Sequence, residues 1–278
     1  MSTRFAQVDV FGGGGGYGNP VAVVLDAEGI GELEMQGFAS WTNLAETTFV
    51  LPPLRPEADY RVRIFTPVLE LPFAGHPTLG TCHAWLEAGG GAAGAEIVQE
   101  CDAGLVRIRR DGDRLAFAAP PMVRSGPASD EERAKVAAAL GLGEGEMLAV
   151  EWVDNGPGWI TVLVESVERL LALRPGPLEF DLGAVAFHPP GSPAAIELRA
   201  WAPVNGRAVE DPITGSLNAS VAQWLLGDGR LTAPYLAHQG TAIGREGRIQ
   251  VSEADGEIWI GGRTETLISG TLTAPTEP

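Results

Sequence analysis

The sequence predicts an α+β protein of two pseudo-symmetric halves, each strand-rich around one buried helix. Three observations lead there. Phe73-Ala74-Gly75-His76-Pro77-Thr78 and Asp211-Pro212-Ile213-Thr214-Gly215-Ser216 each set a small polar motif directly before an apolar helical run, with Gly75 and Gly215, and His76 and Ser216, 140 residues apart. Gln99 and Gln239 keep the same spacing, and Arg63-Ile64-Phe65-Thr66-Pro67 resembles Arg199-Ala200-Trp201-Ala202-Pro203, 136 residues on. Short strand-like segments surround both helical runs. A fixed spacing of about half the chain marks a duplicated unit.

Taken in order, 5–11 alternates polar and apolar residues and reads as a strand, 12–16 is a glycine loop, and 21–25 is a second strand. The glycine run fits a dinucleotide fingerprint only trivially. That reading needs a helix next, and Gly18-Asn19-Pro20 with a β-branched run follows instead. Residues 33–43 read as an amphipathic helix, and 45–51 and 60–65 as strands. A helix is expected over 77–88, with His76 near its N-cap, Pro77 at its first position and Gly89 past its end. It is apolar around much of its circumference, which predicts burial. Strands follow at 96–99, 105–109 and 115–118, then a Pro, Gly and Ser-rich stretch at 120–127, where the boundary between halves 1–122 and 123–278 is placed, with the C-terminal segment free to cross back to the first half. Ser129 and Glu132 have capping-box spacing for a helix over 129–140. The second half repeats the order: strands at 159–164 and 197–201, a helix at 217–226, and strands at 249–251 and 257–260. A loose tail is expected at 271–278.

A net charge of −17 argues against nucleic acid or an anionic membrane as partner, since both call for basic patches. No apolar run is long enough to span a bilayer, and the opening residues carry no signal-peptide pattern. With only Cys82 and Cys101, a disulfide framework is not expected and a reducing cytoplasm is.

The chemistry concentrates at the two helix starts. First-turn amides lack internal partners and carry partial positive charge, and Gly75 and Gly215 let a ligand approach them. Plain helix capping explains either motif alone; the matched pair favours a ligand site for a small carboxylate. His76 titrates near neutrality and suits either a polar contact to substrate or a structural hydrogen bond. His83 reads as structural. His188 and His238 carry no motif, and no two histidines show metal-ligand spacing, so no metal is expected. Asp211 is held extended by Pro212, with its carboxylate near the helix start; its neighbour Glu210 is expected to face solvent. Glu46 stands in an apolar segment, where it is either a half-exposed strand residue or an acid/base group of raised pKa.

Gly18-Asn19-Pro20, Ala45-Glu46-Thr47, 74–78, 211–216 and Gln239-Gly240 occur in the order and spacing of the phenazine-biosynthesis PhzF-like isomerases, which the chain resembles over nearly its whole length. The resemblance implies a diaminopimelate epimerase-like fold, in which each half wraps a barrel-like, mostly antiparallel sheet around a central helix and the substrate lies in the cleft between them. It implies a cofactor-independent isomerase, usually a homodimer, that shifts a proton and a double bond in a small amino acid such as trans-2,3-dihydro-3-hydroxyanthranilate. In that reading Glu46 moves the proton and His76, Asp211 and Ser216 shape the transfer, while Gly75, Thr214 and Gly215 bind substrate. The glycine tract at 12–16 is longer than the family leads one to expect, and Leu217 stands where a small residue is common. Relatives that isomerise alkylproline antibiotic precursors offer an alternative substrate. A racemase of this fold would want a cysteine at each helix start, where this chain has Gly75-His76 and Gly215-Ser216. A non-catalytic protein binding small acids is the remaining alternative.

Overall fold

The computed structural model describes residues 2–91 and 96–273. The chain splits into two compact units, Met1–Ala118 with Gly261–Pro278, and Ala119–Ile260. Residues 119–122 therefore go with the second unit and 261–278 with the first.

In the first unit, β1 (Ser2–Val10) and β2 (Asn19–Val24) form an antiparallel hairpin. Its glycine loop closes onto a buried carboxylate: Asp9 accepts the Gly18 amide at 2.9 Å. A Cβ on Gly12 would overlap Asp9 Oδ2, and Gly14, Gly15 and Gly16 all have positive φ, so the tract serves a tight turn. α1 (Glu32–Thr42) ends where Asn43 turns left-handed, and it leads to β3 (Glu46–Leu51), parallel to β2. β4 (Tyr60–Phe65) returns antiparallel, with the short β5 (Glu70–Leu71) beside it. After α2 (Gly75–Glu87) come β6 (Glu96–Cys101), parallel to β4, and the meander of β7 (Gly104–Asp111) and β8 (Arg114–Ala118). α2 packs on β1, β2, β3 and β8, and its first eight residues are all buried.

The second unit opens with β9 (Arg124–Pro127) and α3 (Asp130–Leu140), whose Ser129–Glu132 capping box is formed. The unit's repeat of the first is then β10 (Met147–Asp154), β11 (Ile160–Val164), α4 (Val167–Ala172), β12 (Leu182–Phe187), β13 (Ile196–Val204), β14 (Arg207–Asp211), α5 (Gly215–Gly227), β15 (Tyr235–Gln239), β16 (Gly247–Ala254) and the start of β17 (Glu257–Thr273). β11 runs parallel to β12 and β13 parallel to β15, matching β2 with β3 and β4 with β6. Each unit is thus a barrel-like mixed sheet around one central helix.

The duplication holds at single side chains. Both central helices have 13 residues and begin 140 residues apart. Gln99 Nε2 donates to Thr78 Oγ1 at 2.9 Å; at the same spacing Gln239 Oε1 accepts from Asn218 Nδ2 at 2.8 Å. Arg63 clasps Glu70 with both carboxylate oxygens (2.7 and 2.6 Å), and Arg199 clasps Glu210 likewise (3.0 and 2.6 Å). Glu210 is therefore not solvent-facing: its side chain is 11% exposed and held by a buried guanidinium. The strand that follows each repeat joins the other unit. β9, after β8, pairs with β10, and the 264–273 part of β17 pairs with β1.

Two helix starts differ from the sequence reading. α2 begins at Gly75 with extended Ala74 as its cap, which puts His76 second and Pro77 third. Proline is tolerated there because amides of the first turn have no intrahelical acceptor to lose. α5 likewise begins at Gly215, ahead of Leu217. Of the tail, 271–273 belongs to β17 and 274–278 lies outside the described residues.

Candidate active site

Chemistry-bearing residues gather at one helix start in each unit. In the first, Glu46 opens β3 opposite Val21 of β2, and α2 begins just where it brings His76 under that strand end. Glu46 Oε2 lies 3.4 Å from His76 Nε2, with side-chain exposures of 16% and 4%. Burial pushes the His76 pKa down to about 3, so the ring is neutral at pH 7. The Asn19 amide approaches Nδ1 at 3.3 Å, and the Pro20 carbonyl also bonds the ring. An amide donor favours a bare Nδ1 with the proton on Nε2, facing Glu46; a carbonyl favours a proton on the nitrogen it meets. No side chain caps α2, its first turn holds no acid, and Pro77 has no N–H, so the Gly75 and His76 amides are the donors at this end. Behind them Thr81 Oγ1 donates to Thr48 Oγ1 at 2.7 Å, tying α2 to β3.

In the second unit β14 ends at Asp211 and the chain turns into α5. Thr214 Oγ1 donates to Asp211 Oδ2 at 2.6 Å, and the Thr214 amide to Gln239 Oε1 at 3.0 Å. The aspartate thus reaches the helix start, as Pro212 led one to expect, and Gln239 braces the same turn from β15. Ser216 Oγ accepts from Trp159 Nε1 at 3.1 Å, and its carbonyl accepts from Asn155 Nδ2 at 2.9 Å. The Gly215, Ser216 and Leu217 amides open this helix. Asp211, Thr214, Gly215 and Ser216 therefore cluster here, as Glu46, Gly75 and His76 do in the first unit.

Residues 8–271 match the family described as phenazine biosynthesis-like protein (PhzC-PhzF). The chain belongs to this phenazine biosynthesis-like family. It is 35% identical over 291 residues to antisense-enhancing sequence 1 of Schizosaccharomyces pombe, spanning 96% of this chain and 97% of that protein. It is also 35% identical over 266 residues to trans-2,3-dihydro-3-hydroxyanthranilate isomerase of Pseudomonas aeruginosa, spanning 91% and 92%. The crystal structure of a PhzF-family phenazine biosynthesis protein from Bacillus anthracis superposes with a TM-score of 0.83 over 98% of this chain and 99% of that one; at 22% identity the likeness is one of fold.

Trp159 and Asn155, which hold Ser216 in this PhzF-like chain, escaped the sequence reading. Asn155 sits in the Asn155-Gly156-Pro157-Gly158 turn, a loop signal that says nothing of its distant target. Cys82 is the eighth residue of α2, fully buried, with its thiol pushed up to about 12. It is not placed as a helix-start base. His83 bonds Thr264 Oγ1 at 2.9 Å, a structural role. Sequence spacing also concealed a convergence in the second unit: His188, His238 and Glu197 meet, so the absence of ligand spacing among the histidines does not carry into three dimensions.

Proposed function

We propose that this protein is a cofactor-independent isomerase, in which Glu46 takes a proton from one carbon of a small cyclic or unsaturated amino acid and returns it to another. The bonding electrons shift the double bond as the first C–H breaks and the second forms, so one carboxylate serves as base and then as acid. The observation that carries this reading is the Glu46–His76 pair beside an uncapped helix start. A carboxylate with little solvent access faces a neutral imidazole, which can meet a substrate polar group as donor or acceptor. The amides opening α2 suit the substrate carboxylate and charge developing on an enol-like intermediate.

Similarity to the Pseudomonas aeruginosa enzyme supports a substrate like trans-2,3-dihydro-3-hydroxyanthranilate and a place in phenazine-type or related antibiotic biosynthesis. A homodimer is part of the same reading, and sedimentation at micromolar concentration checks it.

The test is proton NMR in D2O with trans-2,3-dihydro-3-hydroxyanthranilate and an unsaturated alkylproline precursor. Conversion of either, reduced by about 10²–10⁴-fold in Glu46→Gln, is the expected result. Full turnover by that variant would remove Glu46 from the mechanism. Saturable binding without conversion or exchange would instead favour a protein that only binds small acids.

A further inference from the structure

Three strands of the second unit bring two histidines and a glutamate together on one face. Glu197 of β13 stands directly across from His238 of β15 in their parallel register. His188 follows β12, and its amide bonds the Ala195 carbonyl at 2.9 Å, next to β13. His188 Nε2 lies 3.2 Å from Glu197 Oε2, and His238 Nδ1 lies 4.0 Å from that oxygen. The three ligating atoms all fall within 4.8 Å of one another. The rings meet edge to face, their centroids 5.8 Å apart.

We propose that His188, Glu197 and His238 bind a divalent transition-metal ion of the zinc class. Two imidazoles and a carboxylate suit such an ion. Ligands about 2.0–2.1 Å from zinc stand ~3.3 Å apart in a tetrahedron, so the His188–Glu197 spacing is already right and His238 has less than about 1 Å to close toward Glu197. A second observation points to a ligand. The Glu197 side chain is only 2% exposed, and its Oε1 has no hydrogen-bond partner among the described residues. A buried carboxylate so poorly satisfied is costly unless a cation joins it. The histidine side chains are 19% and 23% exposed, which leaves a way in.

The next residue on β15, Gln239, points to the opposite face and braces α5, so the ion would clasp β12, β13 and β15 behind that helix start. One group opposes it. Arg248 Nη1 contacts His238 Nε2 at 3.3 Å, and a metal on Nδ1 would put a proton on that nitrogen and break the contact.

The test is calorimetric titration of chelator-treated, tag-free full chain with Zn2+, with Co2+ absorption as a second readout. One equivalent at about micromolar affinity or tighter is expected, with visible Co2+ bands of a low-coordinate site and a raised unfolding temperature. His188→Asn and His238→Asn, each checked for unchanged circular dichroism, should weaken binding by at least about tenfold. Arg248→Met should tighten it. Absence of saturable binding to wild type, or binding that survives the double histidine variant, would overturn the site. Neither readout involves turnover, so the result stands apart from the isomerase reading.

Discussion

Burying a neutral histidine makes stability depend on pH. His76 titrates at about 3 in the folded chain, against an ordinary value of 6.5. Below 6.5 the unfolded chain binds a proton that the folded chain refuses, so this group's contribution is full above 6.5 and is lost as pH falls toward 3. Between pH 7 and pH 5 the loss is roughly 2 kcal/mol. Urea midpoints of wild type and His76→Gln at both values should show the smaller pH dependence in the variant; equal dependence would mean that the ring protonates without unfolding the site. At this scale, what the sequence revealed was chemical character. Glu46 stood out as a charge in an apolar segment and His76 as the histidine of a helix-start motif, but their meeting depends on β3 and α2 packing together. Glu210 misled because a charged residue beside a turn usually faces water, and the arginine that holds it lies on another strand.

The central helix of the first unit sits as close to its sheet as glycine allows. A Cβ on Gly80 would overlap Val21 Cγ1 and come within 3.0 Å of Val10 Cγ2. Gly80→Ala should therefore destabilise the protein by about 1–3 kcal/mol, although alanine is the better helix former. Gly37 in α1 has nothing within 4 Å of its Cβ position, and there the same substitution should stabilise by about 0.5–1 kcal/mol. Thermal melts of the two variants decide it, and a common sign would contradict the packing argument. The four longer helices were legible from apolar periodicity and their starting motifs, whereas the short α4, capped by Ser166, was not. Nor were several strands. β12, Leu-Gly-Ala-Val-Ala-Phe, is buried on both faces save at its last residue, so it shows no alternation. β9, Arg-Ser-Gly-Pro, lies in a stretch whose composition suggests a linker, and it is a strand because β10 supplies its partner.

At the scale of the whole chain, the two units differ in how they are threaded. The second is one continuous segment, while the first needs 261–278 to join 1–118. A fragment of residues 119–260 should fold alone with a cooperative melt and dispersed amide resonances, whereas 1–118 alone, lacking one of the two partners of β1, should not. A folded 1–118 fragment would show that the β1–β17 ladder is dispensable. The duplication was readable in the 140-residue spacing, since each copy keeps its glycine helix start and its glutamine brace. The return of the C-terminal segment to the first half was anticipated, but strand β9 was not readable, because its residues follow loop-like local rules until β10 supplies a partner. The exchange of strands also bears on synthesis. On the ribosome the second unit has all of its strands before the first has its last one, so β1 waits with an open edge while more than half of the chain emerges. An early, exposed edge is an invitation to mispairing, and Arg4 and Asp9 place charge along it.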